Sequence, residues 1–115
     1  MRIDTSILAV GEALDSEARV SGGTSTAFIF GQIPGEQVCD ILSGDVNQDG
    51  SHIVVELTMI SDVNFCGGER PTTFSYIVTV VNIVPGDYKL SLRHRYRGTD
   101  RPNETMLERV PIEIQ

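Results

Sequence analysis

The sequence predicts an all-β chain folded as a single antiparallel β-sandwich, and three observations carry that prediction. The segment Phe74–Arg97 (FSYIVTVVNIVPGDYKLSLRHRYR) joins two β-rich runs at a Pro-Gly-Asp-Tyr corner. Its second run alternates: Tyr88, Leu90, Leu92, His94 and Tyr96 share one face, and Lys89, Ser91, Arg93, Arg95 and Arg97 the other. A period of two belongs to a strand with one buried and one wet face. Along the whole chain, short β-branched runs are separated by turn-forming clusters, and no segment carries a capped helical period. The 115 residues, 40% of them apolar, make one domain over 1–115 with one core.

The elements follow in order. Ile3–Val10 is an apolar run whose fit to either face is ambiguous. Ala18–Ser21 ends at Ser21-Gly22-Gly23, and Thr26–Phe30 follows it, closed by Ile33-Pro34-Gly35. Val38–Leu42 is a short strand, although Glu36–Ser43 also reads as a short turn of helix. Asp49-Gly50 precedes the alternating run His52–Ile60, and Cys66-Gly67-Gly68 precedes Thr73–Ile83. Pro85-Gly86 opens Asp87–Arg97, and Arg101-Pro102-Asn103 separates it from Leu107–Ile114. Pro111 places this last strand at a sheet edge, where a missing N–H costs little.

The net charge of −7 is unevenly spread: residues 1–69 hold eleven acids against Arg2 and Arg19, while residues 70–115 hold seven basic residues against five acids. An acidic whole disfavours nucleic acid, because phosphate binding needs positive potential. Opposite biases in the two halves would attract copies head to tail, unless the strand order mixes the halves in space. No apolar run approaches the roughly 20 residues of a membrane span, and MRIDTSILAV is not an intact secretory signal. Cys39 and Cys66 are the only cysteines and read first as one disulfide, with two buried thiols as the alternative. The bridge would stabilise by roughly 3–4 kcal/mol on the chain-entropy model. It implies an extracellular, cell-surface or periplasmic location.

Ile83-Val84-Pro85-Gly86-Asp87-Tyr88-Lys89-Leu90 resembles the E–F corner of fibronectin type III and bacterial immunoglobulin-like domains of secreted proteins. The resemblance covers roughly residues 26–97 and implies an immunoglobulin-like sandwich in which the Tyr88 hydroxyl returns to the backbone. The chain has no Trp, so the core Trp of those families has no counterpart here.

Two clusters point to chemistry. Asp45-Val46-Asn47-Gln48-Asp49-Gly50, with Glu56 at the twelfth place, satisfies the spacing of a calcium loop. As a structural calcium site it would use Asp45, Asn47 and Asp49, with Glu56 pointing away along its strand. The same Asp, Asn and Gly also suit a hairpin turn for backbone reasons alone. The second cluster is the basic ladder Lys89, Arg93, Arg95 and Arg97, whose guanidinium forks suit an acidic protein surface or an acidic glycan. A solvated strand face paired across the sheet with Glu56 or Glu113 explains the same residues. His94, on the apolar face, reads as a core histidine. No nucleophile elbow, zinc signature or phosphate loop is present, so no enzyme and no required cofactor is expected.

The expected function is a non-enzymatic, extracytoplasmic binding or self-assembly module, such as a filament or layer subunit or an adhesion accessory. Its partner would be another protein or copies of itself, with Ile3–Val10 as a candidate exchanged strand. The alternative is a protease inhibitor: Gly67-Gly68 through Arg101-Pro102, with Arg70-Pro71-Thr72-Thr73, loosely resembles chagasin-type inhibitors. A third is a carbohydrate-binding module using Tyr96 and Phe65 as exposed rings.

Overall fold

The computed structural model describes residues 1–61 and 70–115. Among these residues eight strands form two four-stranded sheets: β1 (Arg2–Val10), β2 (Glu17–Gly23), β3 (Thr26–Gly35), β4 (Ile41–Asp49), β5 (His52–Ile60), β6 (Thr72–Val80), β7 (Gly86–Arg97) and β8 (Glu104–Ile114). Sheet A has the order β1-β6-β3-β2 and sheet B the order β4-β5-β7-β8. The all-β sandwich is as the sequence predicts. One pairing is not antiparallel: β5 runs parallel to β7, with His52 opposite Lys89 and Ile60 opposite Arg97. Alternation along a strand is blind to the direction of its neighbour, which is why this pair was invisible in the sequence.

The core fills the space between the inward faces. Ile29, Ile33 and Val78 from sheet A meet Val55, Leu57, Met59, Leu90 and Leu92 from sheet B, all fully buried. Burying each such side chain contributes roughly 1.5–3 kcal/mol. β7 alternates as expected, with one exception: Ser91, on the outer face, is fully buried. Its hydroxyl accepts the Arg109 backbone N–H at 3.1 Å, anchoring the irregular register of β7 and β8 where Arg109 takes a φ of 50°.

β4 departs most from expectation. The strand begins at Ile41 and runs through Asp49, and the residues before it form a turn instead of a strand or helix. Asp40 holds that turn, its Oδ2 accepting the Glu36 N–H at 2.7 Å and the Ser61 hydroxyl. Asp-x-Asn-x-Asp is itself a period of two, so Asp45, Asn47 and Asp49 point outward while Leu42, Gly44 and Val46 point inward. Asp49 pairs with His52 across the two-residue loop Gly50-Ser51. Gly50 has a φ of 60° and Ser51 does not share it, the pattern of a type II′ hairpin.

At the crossing between sheets, the Tyr88 hydroxyl donates to the Val84 carbonyl at 2.6 Å, the return to backbone that the Pro-Gly-Asp-Tyr corner implies. β8 is an edge strand, consistent with Pro111 within it. The two sides of the sandwich differ. On one, β8 seals against β2: the Gln115 N–H donates to the Gly23 carbonyl at 3.0 Å and the Ser25 N–H to the Gln115 carbonyl at 2.7 Å. A Cβ on Gly22 would lie 1.9 Å from the Glu113 carbonyl oxygen, so only glycine permits that approach. On the other side β1 and β4 stand apart, touching chiefly where Ile3 and Met1 reach Gly44.

Candidate interaction surface

The outer face of sheet B holds most of the residues the sequence singles out, arranged in cross-strand rows. Asp45 lies opposite Glu56, and Glu56 opposite Arg93. Arg93 and Arg95 both reach Glu56 Oε1, at 3.4 and 3.2 Å. Glu56 therefore neutralises the centre of the basic ladder from inside the same sheet. Lys89 stands beside His52 and Arg97 beside Ile60 at the two ends of the strand. The four basic residues do share one face, and its middle two are tied to Glu56 in an ion-pair row.

Asp45, Asn47 and Asp49 share this face without converging. Alternate residues of a strand repeat every ~7 Å, so the outer two stand about 13–14 Å apart. Calcium takes its oxygens at about 2.3–2.6 Å, so the three cannot enclose one ion in this geometry. No cluster of three or more His, Cys, Asp or Glu with metal-holding geometry occurs among the described residues. Cys66, and with it the expected bridge to Cys39, lies outside the described residues, as do Phe65 and Gly67-Gly68.

His52 Nε2 and Ser91 Oγ are 2.8 Å apart, with Glu108 Oε1 at 3.4 Å from the hydroxyl. The pairing has the residue types of a nucleophile and its base, but Ser91 is fully buried and already accepts a backbone N–H, so no substrate carbonyl reaches it. His94 is also fully buried. Its Nε2 meets the Tyr76 hydroxyl at 2.7 Å across the core, and its Nδ1 has no partner among the described residues. Burial lowers the His94 pKa from 6.5 to about 4 and pushes Tyr76 upward, because both charged forms lose solvation. Tyr96 is half-buried and likewise raised, chiefly by burial.

Two aromatics missed in the sequence lie on the outer face of sheet A. Phe28 and Phe30 stack with centroids 6.4 Å apart, and the Arg19 guanidinium lies 5.5 Å from the Phe30 centroid. A shallow groove beside them is lined by Glu17, Arg19, Phe30, Gln32, Ser75 and Ile77. The alternation Ala27, Phe28, Ile29, Phe30 in β3 carries this information, but four apolar residues in a row conceal which pair faces out. Thr72 and Thr73, from the fragment resembling an inhibitor loop, are fully buried at the start of β6. Thr73 Oγ1 accepts the Leu14 N–H at 2.8 Å and donates to the Glu12 carbonyl at 2.9 Å, which fixes the β1–β2 connection over the sheet.

Apolar exposure is concentrated on the open side. Seven of the ten exposed large hydrophobics among the described residues lie in β1, in β4 or beside their starts: Met1, Ile7, Leu8, Val10, Val38, Ile41 and Val46. Ile7 and Val46 point inward, opposite Phe74 and Val55, yet are 51% and 40% exposed because none of the described residues covers the gap between the sheets there. β1 and β4 are both edges with one hydrogen-bonded neighbour each. Compared with known proteins, the chain matches no family model, no curated protein and no solved structure.

Proposed function

We propose that this chain is a non-enzymatic assembly module that works outside the cytoplasm, associating through the β1/β4 side of its sandwich. The observation that carries it is the coincidence, on one side, of two nine-residue edges without an outer neighbour among the described strands and seven of the ten exposed large hydrophobics of the described residues. Such an edge offers main-chain hydrogen bonds to an added strand, and the apolar side chains around it offer burial. The charge bias between chain halves adds nothing to this, because β1 and β4, the two edges on this side, both belong to the acidic half. A Cys39–Cys66 bridge is part of the proposal and accounts for the extracytoplasmic setting.

Light scattering over a concentration series tests the assembly role, with Leu8→Lys and Ile41→Lys as the comparison. Mass should rise with concentration for the native chain and stay monomeric for the double variant, since edge charges block strand addition. A native monomer at every concentration would refute self-assembly. A second function, carbohydrate binding, draws support from the Phe28–Phe30 pair and its polar groove, and not from Tyr96. It requires that Phe30→Ala abolish retardation in gels containing a neutral polysaccharide.

A further inference from the structure

We infer that the open side is occupied by a second copy of the chain in a closed two-fold pair, β1 of each protomer lying antiparallel to β4 of its partner. This rests on the assembly role proposed above and specifies its geometry. Within one protomer β1 and β4 already run in opposite directions. β1 passes from Ile3, opposite Val78, to Ile7, opposite Phe74. β4 starts just after Asp40, whose carboxylate and the Phe74 ring both crowd Gly35, and it reaches Gly44 beside Ile3. The two strands are therefore at matched heights, Ile3 level with Gly44.

A two-fold axis between the layers and parallel to the strands turns the second copy over, so that its sheet B continues sheet A of the first. Heights are preserved by that rotation. Arg2, one step before Ile3, then stands across from the partner's Asp45, one step beyond Gly44. Both lie on the outer faces of their sheets, because Arg2 pairs with Thr79 and Asp45 with Glu56. Arg2 is ion-paired only with Asp4 among the described residues, at 3.1 Å with both side chains more than half exposed. A pair that exposed holds its partners weakly, leaving Arg2 able to turn.

The other two-fold arrangement, with its axis perpendicular to the sheets, sets β4 against β4. It also sets β1 against β1, and it brings two copies of the outward row Asp45, Asn47 and Asp49 to one edge, where like charges across strands are unfavourable. The far sides of the pair are guarded by the β2–β8 seal, by Pro111, and by Glu104, Glu108, Arg109 and Glu113 along β8. Association therefore stops at two instead of growing into a fibre.

Charge exchange tests the geometry, with light scattering and sedimentation of the full chain as readouts. Arg2→Asp and Asp45→Arg should each weaken the pair by about tenfold, from two opposed charge contacts per dimer. The double exchange should restore the native dissociation constant. If Asp45→Arg alone tightens the dimer, β4 meets β4 and the arrangement is overturned while assembly stands. Growth beyond dimer also overturns it. A monomer in every variant, native chain included, overturns the assembly role itself.

Discussion

Lowering the pH below neutrality should destabilise this protein through one residue, His94. In the unfolded chain an ordinary histidine takes a proton near pH 6.5. In the fold, His94 resists protonation until about pH 4, because the charged ring would sit fully buried against Tyr76. Between those values the unfolded state binds a proton that the folded state refuses. Stability is thus full above the unfolded pKa and is lost progressively as pH falls through the window. A difference of about 2.5 units corresponds to about 3 kcal/mol in total, of which about 2 kcal/mol is gone near pH 5. The assay is chemical denaturation at a series of pH values, for the native chain and for His94→Leu. The difference between their pH profiles isolates His94 from His52 and the surface carboxylates. A native profile no steeper than that of His94→Leu between pH 7 and 5 would refute the reasoning. So would an imidazole resonance of His94 titrating near 6.5 in the folded state.

Other perturbations have equally definite outcomes. Gly22→Ala drives a methyl group into the Glu113 carbonyl oxygen, where a Cβ would stand at 1.9 Å. Separating β2 from β8 should cost about 1–3 kcal/mol in a denaturant titration. Tyr88→Phe removes the 2.6 Å hydrogen bond to Val84 and should cost about 1 kcal/mol by the same measurement. Glu56→Gln leaves Arg93 and Arg95 facing each other without their shared carboxylate. Because all three side chains are partly exposed, the loss should stay below about 1 kcal/mol and shrink with added salt. Calcium should leave the thermal midpoint unchanged relative to chelator, since Asp45, Asn47 and Asp49 are strung along one strand.

What the sequence made legible was whatever has a period. β7 could be assigned residue by residue because its apolar and polar positions alternate without interruption, and the Tyr88 corner because its chemistry is local. The bounds of β4 were misread, Val38–Leu42 for Ile41–Asp49, because Asp45-Asn47-Asp49 suits a turn or a cation loop as readily as a polar strand face, and only pairing with β5 shows that the strand runs through it. The pairing of Glu56 with the arginines could be named but not placed, since the parallel register of β5 on β7 depends on chain path and not on composition. The open side was legible only in part: Ile3–Val10 fits neither face cleanly, which marks it as a candidate exchanged strand, but the exposure of Ile7 and Val46 arises from a gap between two edges that no single strand encodes.

The parallel contact between β5 and β7 also sets how sheet B has to be put together. β4 with β5 and β7 with β8 are hairpin-like neighbours joined by local connections, so each pair can form early and alone. The seam between them joins His52 to Lys89 and cannot close until the chain has left the sheet, laid down β6 on the opposite layer and returned. Long loop closure of that kind is slow relative to local pairing. Folding should therefore accumulate two half-sheets that wait for each other, and the rate of folding should be governed by Val55 and Leu92, which pair across the late seam, more than by the turn at Gly50.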